Sequence, residues 1–265
     1  MVEIKNAKPV TLPLFSKSRV DIIIPFHSQY EKVTSLVKSI LLSVKSNPYQ
    51  ITLVDDCSEN ENFQKEIHDQ FKPEERSIFK PIVRCIRNEK QLGFGGSLKV
   101  GYDNTDLPWV LFMHSDCRVE DPNFMIEMGK SLLNWKEKKI PVKMVAACSN
   151  NSGSCSLAQK DKKDVEGKDL ILENGSLPLY CAMCHRDLFK YIGGFIKPYP
   201  YAWYEDEELA FRMKKSGFQQ GVSGKAWINH EGAATIKYLW NKDKSGEIKK
   251  TMEQNRDLCI QDMKI

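Results

Sequence analysis

The triplet His114–Ser115–Asp116 closes an apolar run, Trp109–Val110–Leu111–Phe112–Met113. Two positions apart on an extended chain, its imidazole and carboxylate leave the backbone on the same side, where they can share a divalent cation. The run before them reads as a buried strand, and ligands of open α/β sheets collect at the carboxyl ends of strands. A cation held there by Asp116 would in turn hold a diphosphate. Two further strand ends gather polar residues: His27 follows the β-branched run Val20–Pro25, and Asp55 and Asp56 follow Ile51–Val54. Paired carboxylates at such an end can accept hydrogen bonds from a base or a ribose. With Ser58 they would also make an ordinary turn.

Gly93–Phe94–Gly95–Gly96 precedes a helical stretch. Backbone N–H groups and the positive end of a helix suit a phosphate, although neither the Walker nor the GxGxxG spacing is present and a tight turn would also explain the glycines. Lys99, one turn further, either adds charge near a diphosphate or is solvated. Glu205, Asp206, Glu207 and Glu208 crowd the start of another helix. Each would gain roughly 0.3–1 kcal/mol from the helix dipole, so capping alone accounts for them. The aromatic residues Tyr199, Tyr201, Trp203 and Tyr204 immediately before them favour a second reading, because flat rings suit the CH-rich faces of sugars. His230, after Trp227–Ile228, lies at another strand end and is a third candidate ligand beside His114 and Asp116. Cys181–x2–Cys184 has no second pair at matching spacing, as a structural zinc site would require.

The chain has 265 residues, 41% hydrophobic and 28% charged, enough for one sizeable α/β domain or two small ones. Val33, Leu36, Val37, Ile40, Leu41 and Val44 trace one helix face, ended by Asn47–Pro48. Further helices are expected over 61–71, 97–103, 122–135, 186–192, 207–216 and 247–263, and further strands over 81–86, 142–148, 177–184, 220–222 and 226–228. This alternation predicts a mostly parallel sheet with helices on both faces. Met1–Ser18 reads as an extended lead-in, and the polar stretch 150–175 as a long mobile loop able to act as a lid. The lysine-rich tail from Lys237 reads as one exposed helix. A net charge of +4 is too mild for a nucleic-acid binder and leaves contact with an anionic membrane surface open. No apolar run is long enough to cross a bilayer, and Met1–Lys17 lacks the core of a signal peptide. Eight scattered cysteines suggest free thiols in a reducing compartment, hence the cytoplasm.

Taken in order, these motifs resemble the family-2 glycosyltransferases of GT-A fold, which use nucleotide-diphosphate sugars. The resemblance runs from Asp21 to His230. It is carried by Ile22–Pro25, by Leu53–Ser58 (like V-D-D-G-S) and by Asn88 with Gly93–Ser97 (like N-x-G-F-x-G-A-N-N). His114–Ser115–Asp116 stands at the D-x-D position, Ile192–Phe195 follows, and Glu205–Asp206 with Leu209 is similar to E-D-x-x-L. His114 replaces the first Asp of D-x-D, Cys57 the usual Gly, and Lys99 an Asn. The resemblance implies a Rossmann-like sheet in a single domain over 1–265, with a nucleotide-binding half (19–117), an acceptor and catalytic half (118–232) and a helical tail (233–265). It implies that Asp55 or Asp56 binds base or ribose, with Pro25 and His27 lining that pocket. Gly93, Gly96 and Ser115 would lie against the donor, with Lys99 standing in for part of the metal charge. Asp116, with His114 and His230, would hold Mn or Mg, and Asp206, or else Glu205, would be the base of an inverting transfer to a saccharide hydroxyl. Two rivals are a GT-A domain that only binds glycan or nucleotide, favoured by the altered D-x-D, and a sugar nucleotidyltransferase, disfavoured by the absence of a basic glycine-rich signature near Pro25.

Overall fold

Val20, Ile22, Ile23 and Ile24 are all fully buried, because helices cover both faces of the strand they form. The computed structural model describes residues 19–44, 49–71, 82–153, 155–164 and 167–264. The lead-in expected over Met1–Ser18 and the Asn47–Pro48 stop lie outside them. In chain order the elements are β1 (Val20–Phe26), α1 (Tyr30–Ser43), β2 (Tyr49–Asp55), α2 (Phe63–Phe71), β3 (Ile82–Arg87), α3 (Gly93–Asp103) and β4 (Trp109–Met113). Then follow β5 (Cys117–Arg118), α4 (Phe124–Glu137), β6 (Val142–Ser149), β7 (Leu170–Leu172), β8 (Cys181–His185), α5 (Leu188–Tyr191) and α6 (Glu205–Lys215). β9 (Gln219–His230), α7 (Ala234–Lys242) and α8 (Glu247–Met263) complete the chain.

The sheet runs β3-β2-β1-β4-β8-β6-β9-β5, with β7 paired to β9. The period-two alternation of strands divides the core in two. Ile22, Ile24, Leu111 and Met113 pack on one face with α1 and α4 residues, and Ile23, Val110 and Phe112 on the other with residues of α3, α5 and α6. β1 pairs in parallel with β2 on one side and with β4 on the other. The chain order therefore reverses at β1 and β4, where crossovers on opposite faces leave a crevice at the strand carboxyl ends. His27, Asp56 and His114 all follow these ends.

Parallel pairing is interrupted beyond β4 and resumes between β6 and β9. β8 runs antiparallel to both β4 and β6, with Met113 opposite Cys181. The strand expected over 177–184 thus enters the sheet at the site end, so that Pro178, Leu179 and Tyr180 stand beside the end of β4. Cys181 and Cys184, an odd three positions apart, belong to opposite core faces and cannot chelate one ion. All eight cysteines are free.

The two short strands expected over 220–222 and 226–228 form one strand, β9, paired to β6 with a register shift between Ala147 and Cys148. Gly224 lies in that bulge, where a Cβ would come within 2.0 Å of the Lys168 carbonyl oxygen. The bend sends the end of β9 across to β5 and sets His230 opposite Cys117. The described residues of 150–175 are not a structureless loop: they include two 3₁₀ turns and β7, and Lys160 ties them to the sheet, its N–H donating to the Ser149 carbonyl at 2.8 Å and its carbonyl accepting from Trp227 Nε1 at 3.0 Å. The tail is also less exposed than its composition suggests. It forms two helices, and α8 buries Met252, Asn255 and Cys259.

Candidate functional site

His114, Asp116 and His230 converge so that one donor atom from each lies within 4.8 Å of the others. His230 Nε2 is 3.2 Å from Asp116 Oδ1 and 3.3 Å from His114 Nδ1, and His114 Nδ1 is 4.0 Å from Asp116 Oδ1. Donors bound at about 2.0–2.2 Å from one ion lie roughly 3–4 Å apart, so the spacing fits a shared cation with little movement. Among the described residues this is the one cluster of His, Cys, Asp or Glu with such spacing.

The surroundings aim these ligands. His230 Nδ1 lies 2.7 Å from the Asn151 carbonyl, which can only accept, so Nδ1 carries the hydrogen and Nε2 is directed at the cluster. The Asn150 side chain brackets the His230 backbone, accepting from its N–H at 2.9 Å and donating to its carbonyl at 3.2 Å. Tyr180 stacks on the His230 ring at 4.9 Å, and Phe94 meets the His114 ring edge-on at 4.7 Å. Asp116 Oδ2 accepts from the backbone N–H of Ala234, the first residue of α7, at 3.1 Å.

Burial, helped by the neighbouring His230, pushes His114 down to about 4 against the pull of Asp116, so its imidazole is neutral at physiological pH and its lone pair is free for a ligand. Burial works to raise the Asp116 carboxyl. The His230 hydrogen bond, the two imidazoles and the Ala234 N–H outweigh it and hold Asp116 below its ordinary range.

These residues form one wall of a cavity of about 610 Å³, a size suited to a small-molecule ligand. Pro25, His27, Asp56, Gly93 and Ser115 line it, and so do Glu205 and Asp206. The structure thus separates the neighbouring aspartates. Asp56 accepts from Asn88 Nδ2 (2.9 Å), Leu92 N (2.7 Å) and Gly93 N (2.9 Å) at the cavity edge. Asp55 is fully buried, ion-paired to Arg87 at 2.5 Å, and absent from the lining. Asp55 is the last residue of β2, in register with Arg87 of β3, whereas Asp56 lies just past the strand end, beside the crevice. Gly96 also stays off the lining and packs on Leu92 and Pro198.

Gly93 opens α3 at φ +74°, and a Cβ there would stand 2.8 Å from the Tyr201 carbonyl oxygen. That close approach lets Phe94 N donate to Tyr201 O at 2.8 Å, joining the glycine turn to the aromatic segment. Tyr201, Trp203 and Tyr204 all line the cavity and all hold positive φ, at 63°, 83° and 73°. Such a run of non-glycine residues in left-handed backbone needs support from outside itself. Asn255 of α8 supplies it, donating to the carbonyls of Pro200 (2.9 Å) and Ala202 (2.7 Å).

The segment delivers Glu205, Asp206 and Glu207 to the cavity at the start of α6. Burial raises Glu205 to about 8, with Glu207 adding like-charge repulsion. Burial also raises Asp206 well above the carboxylate range, followed by a hydrogen bond with Glu207 and the charges of Glu207 and Glu205. Between the ordinary 4.5 and about 8, the unfolded chain has lost the Glu205 proton while the folded chain keeps it, so this group's contribution to stability falls as pH rises through that window. Glu205→Gln, which cannot titrate, should therefore gain in melting temperature relative to the parent as pH is raised across that window, with the difference vanishing towards its acid end. Melting curves of the two proteins across this range test it.

Lys99 does not reach the cavity. Its side chain is 48% exposed and pairs with Asp103 at 2.5 Å along the helix. Lys99→Ala should cost at most about 0.5 kcal/mol of stability, as exposed i,i+4 pairs do. A melting curve of the two proteins measures it. The cation that does line the cavity is Lys237 of α7, which the sequence hides in a lysine-rich tail. Its only local signal was the short distance downstream from His230.

The model of the glycosyl transferase family 2 matches residues 21–193, a span that holds Asp56, Gly93 and Asp116 and ends before Asp206 and His230. An uncharacterized glycosyltransferase of Haemophilus influenzae is 25% identical over 182 residues, covering 66% of this chain and 55% of its own length. The chain thus spans about half the length of that curated relative. Among solved structures, Staphylococcus aureus TarS 1–349 in complex with UDP-GlcNAc superposes with TM-score 0.60 at 15% identity, over 83% of this chain and 60% of that one. GalNAc-T7 with UDP, GalNAc and Mn2+ gives TM-score 0.58 at 14% identity, over 81% and 44%. A mannosyltransferase of Pyrobaculum calidifontis, PcManGT, with GDP-Man and Mn2+ gives 0.59 at 11%, over 84% and 60%. At these identities the likeness is one of fold, the GT-A fold of glycosyltransferases. With its strand-end aspartates and glycine turn inside the matched span, the chain belongs to glycosyl transferase family 2.

Proposed function

We propose that this protein transfers a sugar from a nucleoside-diphosphate donor to a hydroxyl of a saccharide acceptor, with inversion and with help from a divalent cation. The observation that carries this reading is that one cavity is lined by Asp56, by the His114–Asp116–His230 cluster and by Asp206. Base, diphosphate and attacking hydroxyl thereby each have a chemically suitable wall. Similar structures hold UDP-GlcNAc, or UDP or GDP-Man with Mn2+, in their complexes, which supports a nucleotide sugar as the ligand here.

In this reading the nucleoside lies between Pro25, His27 and Asp56. His27 Nδ1 donates to the Asp56 carbonyl at 2.8 Å, which fixes the ring at the pocket edge. His114, Asp116 and His230 would hold the cation. Two imidazoles and one carboxylate are a borderline-soft donor set that suits Mn better than Mg. When bound, the cation supplies Lewis-acid charge to the diphosphate. Asp206 accepts the proton of the acceptor hydroxyl as the oxygen attacks the anomeric carbon. Of the two candidate bases, Asp206 is favoured because it is partly exposed at the cavity, whereas Glu205 is buried at 4% exposure. Tyr201 and Trp203 give the acceptor flat apolar faces. Residues 19–117 serve the nucleotide and 118–232 the acceptor, with 233–265 closing the site. No described helix is long and apolar enough to cross a membrane. The free thiols are in keeping with a reducing compartment such as the cytoplasm.

A panel of UDP-, GDP- and dTDP-sugars, each with Mn or Mg and a set of saccharide acceptors, tests the reading by release of nucleoside diphosphate. Metal-dependent release with at least one donor, faster with Mn, is the expected result. Binding of nucleotide without turnover on any donor would favour the binding-module alternative.

A further inference from the structure

Lys237 stands in the first turn of α7, where a cation is misplaced on local grounds. The N-terminus of a helix carries partial positive charge, and cations there are unfavourable. The first turn of α7 holds no acid to offset it. Among the described ion pairs none involves Lys237. Its ammonium instead folds back on the helix start and donates to the Gly232 carbonyl at 3.3 Å. This keeps the charge over the backbone stretch that leads from His230 to Ala234, the residue whose N–H caps Asp116. Gly232, Ala233, Ala234 and Lys237 all line the cavity together with His114, Asp116 and His230. A positive side chain, the positive end of a helix and a candidate cation-binding cluster therefore face the same space, and among the described residues no carboxylate is ion-paired to Lys237.

We propose that Lys237 binds the diphosphate of the donor directly and stabilises the charge that appears on the nucleoside diphosphate as it leaves. The inference rests on the donor class proposed above. When the bond from the anomeric carbon to the diphosphate oxygen breaks, its electron pair stays on that oxygen, and the leaving group gains one negative charge. An ammonium already in place interacts more strongly with that charge than with the intact donor, so it lowers the barrier as well as the dissociation constant. A flexible stem that can give up its bond to the Gly232 carbonyl suits a group that must follow the phosphate.

The test compares Lys237→Met, which keeps the length and loses the charge, and Lys237→Arg, which keeps it, with the parent. Calorimetric titration with UDP and UMP, with GDP and GMP, and with dTDP and dTMP, in the presence of Mn gives a diphosphate-to-monophosphate affinity ratio for each protein. The expected result is a tenfold or greater loss of diphosphate affinity in Lys237→Met, little change for the monophosphate, and recovery of most of the loss in Lys237→Arg. Turnover in Lys237→Met should fall at saturating donor, so that kcat drops as well as kcat/KM. Unchanged diphosphate affinity in Lys237→Met, or an equal loss for mono- and diphosphate, would overturn the proposal and leave the transferase reading standing. A parent protein that binds none of these nucleotides would overturn both.

Discussion

Asp206→Asn should lower sugar transfer by about 10²–10⁴-fold while donor affinity stays within about twofold, because a positioned general base is worth that factor and the donor's charge is held elsewhere. Asparagine keeps the size of the side chain and its place at the start of α6 but cannot accept the acceptor's proton. Single-turnover release of nucleoside diphosphate measures the rate, and calorimetric titration measures donor affinity. Retained turnover would move the base to Glu205 or another group. The pH profile adds a second arm. Burial and then the neighbouring Glu207 and Glu205 hold Asp206 above the carboxylate range, so transfer should rise with pH as Asp206 loses its proton. Glu207→Gln removes the largest neighbouring charge contribution and should move that rise to lower pH. A profile that does not move would mean that Asp206 is not the titrating base.

Asp116→Asn should weaken Mn binding by at least about 10²-fold and take metal-dependent transfer with it, since the cluster's one carboxylate becomes a neutral amide while two imidazoles remain. The substitution is chosen for what it leaves intact. The amide oxygen can still accept from Ala234 N, so α7 keeps its anchor, and loss of Mn affinity can be separated from loss of structure. Titration with Mn alone, followed by circular dichroism and a melting curve, makes that separation. Chelation of the parent with EDTA should reproduce the loss of transfer, and added Mn should restore it. Full transfer by the chelated parent would remove the cation from the reaction. Asp116→Ala is a poorer test, because it opens a hole beside the buried His230 and the ring of His114 against it.

The candidate site was legible in unequal parts. Apolar runs ending in polar tips located β1, β2 and β4 and the residues just past them, because a strand buried on both faces must be apolar along its length. The acids of α6 were legible for a similar reason, since four carboxylates directly after an aromatic run stand out from an ordinary capped helix start. α3 begins at Gly93 rather than near Ser97, and α6 at Glu205 rather than Glu207. In both cases the site residues themselves form the first helical turn, where polar and glycine residues break the periodic pattern that marks a helix.

By itself the sequence determined the strand ends, the chemical types gathered at them and, through the order of its motifs, the resemblance to a family of known fold. Tertiary structure alone decided which of those residues meet. Asp55 and Asp56 are adjacent and chemically alike, yet only Asp56 lines the cavity, because β2 ends between them: Asp55 stays in the sheet, paired to Arg87 of β3, and Asp56 stands past the strand end, a boundary the two identical side chains do not mark. His230 reaches Asp116 only because β9 bulges, bends and pairs with β5. Lys99 and Lys237 exchange their expected places because the direction of a lysine is set by the packing of its helix, and that packing is a property of the assembled sheet.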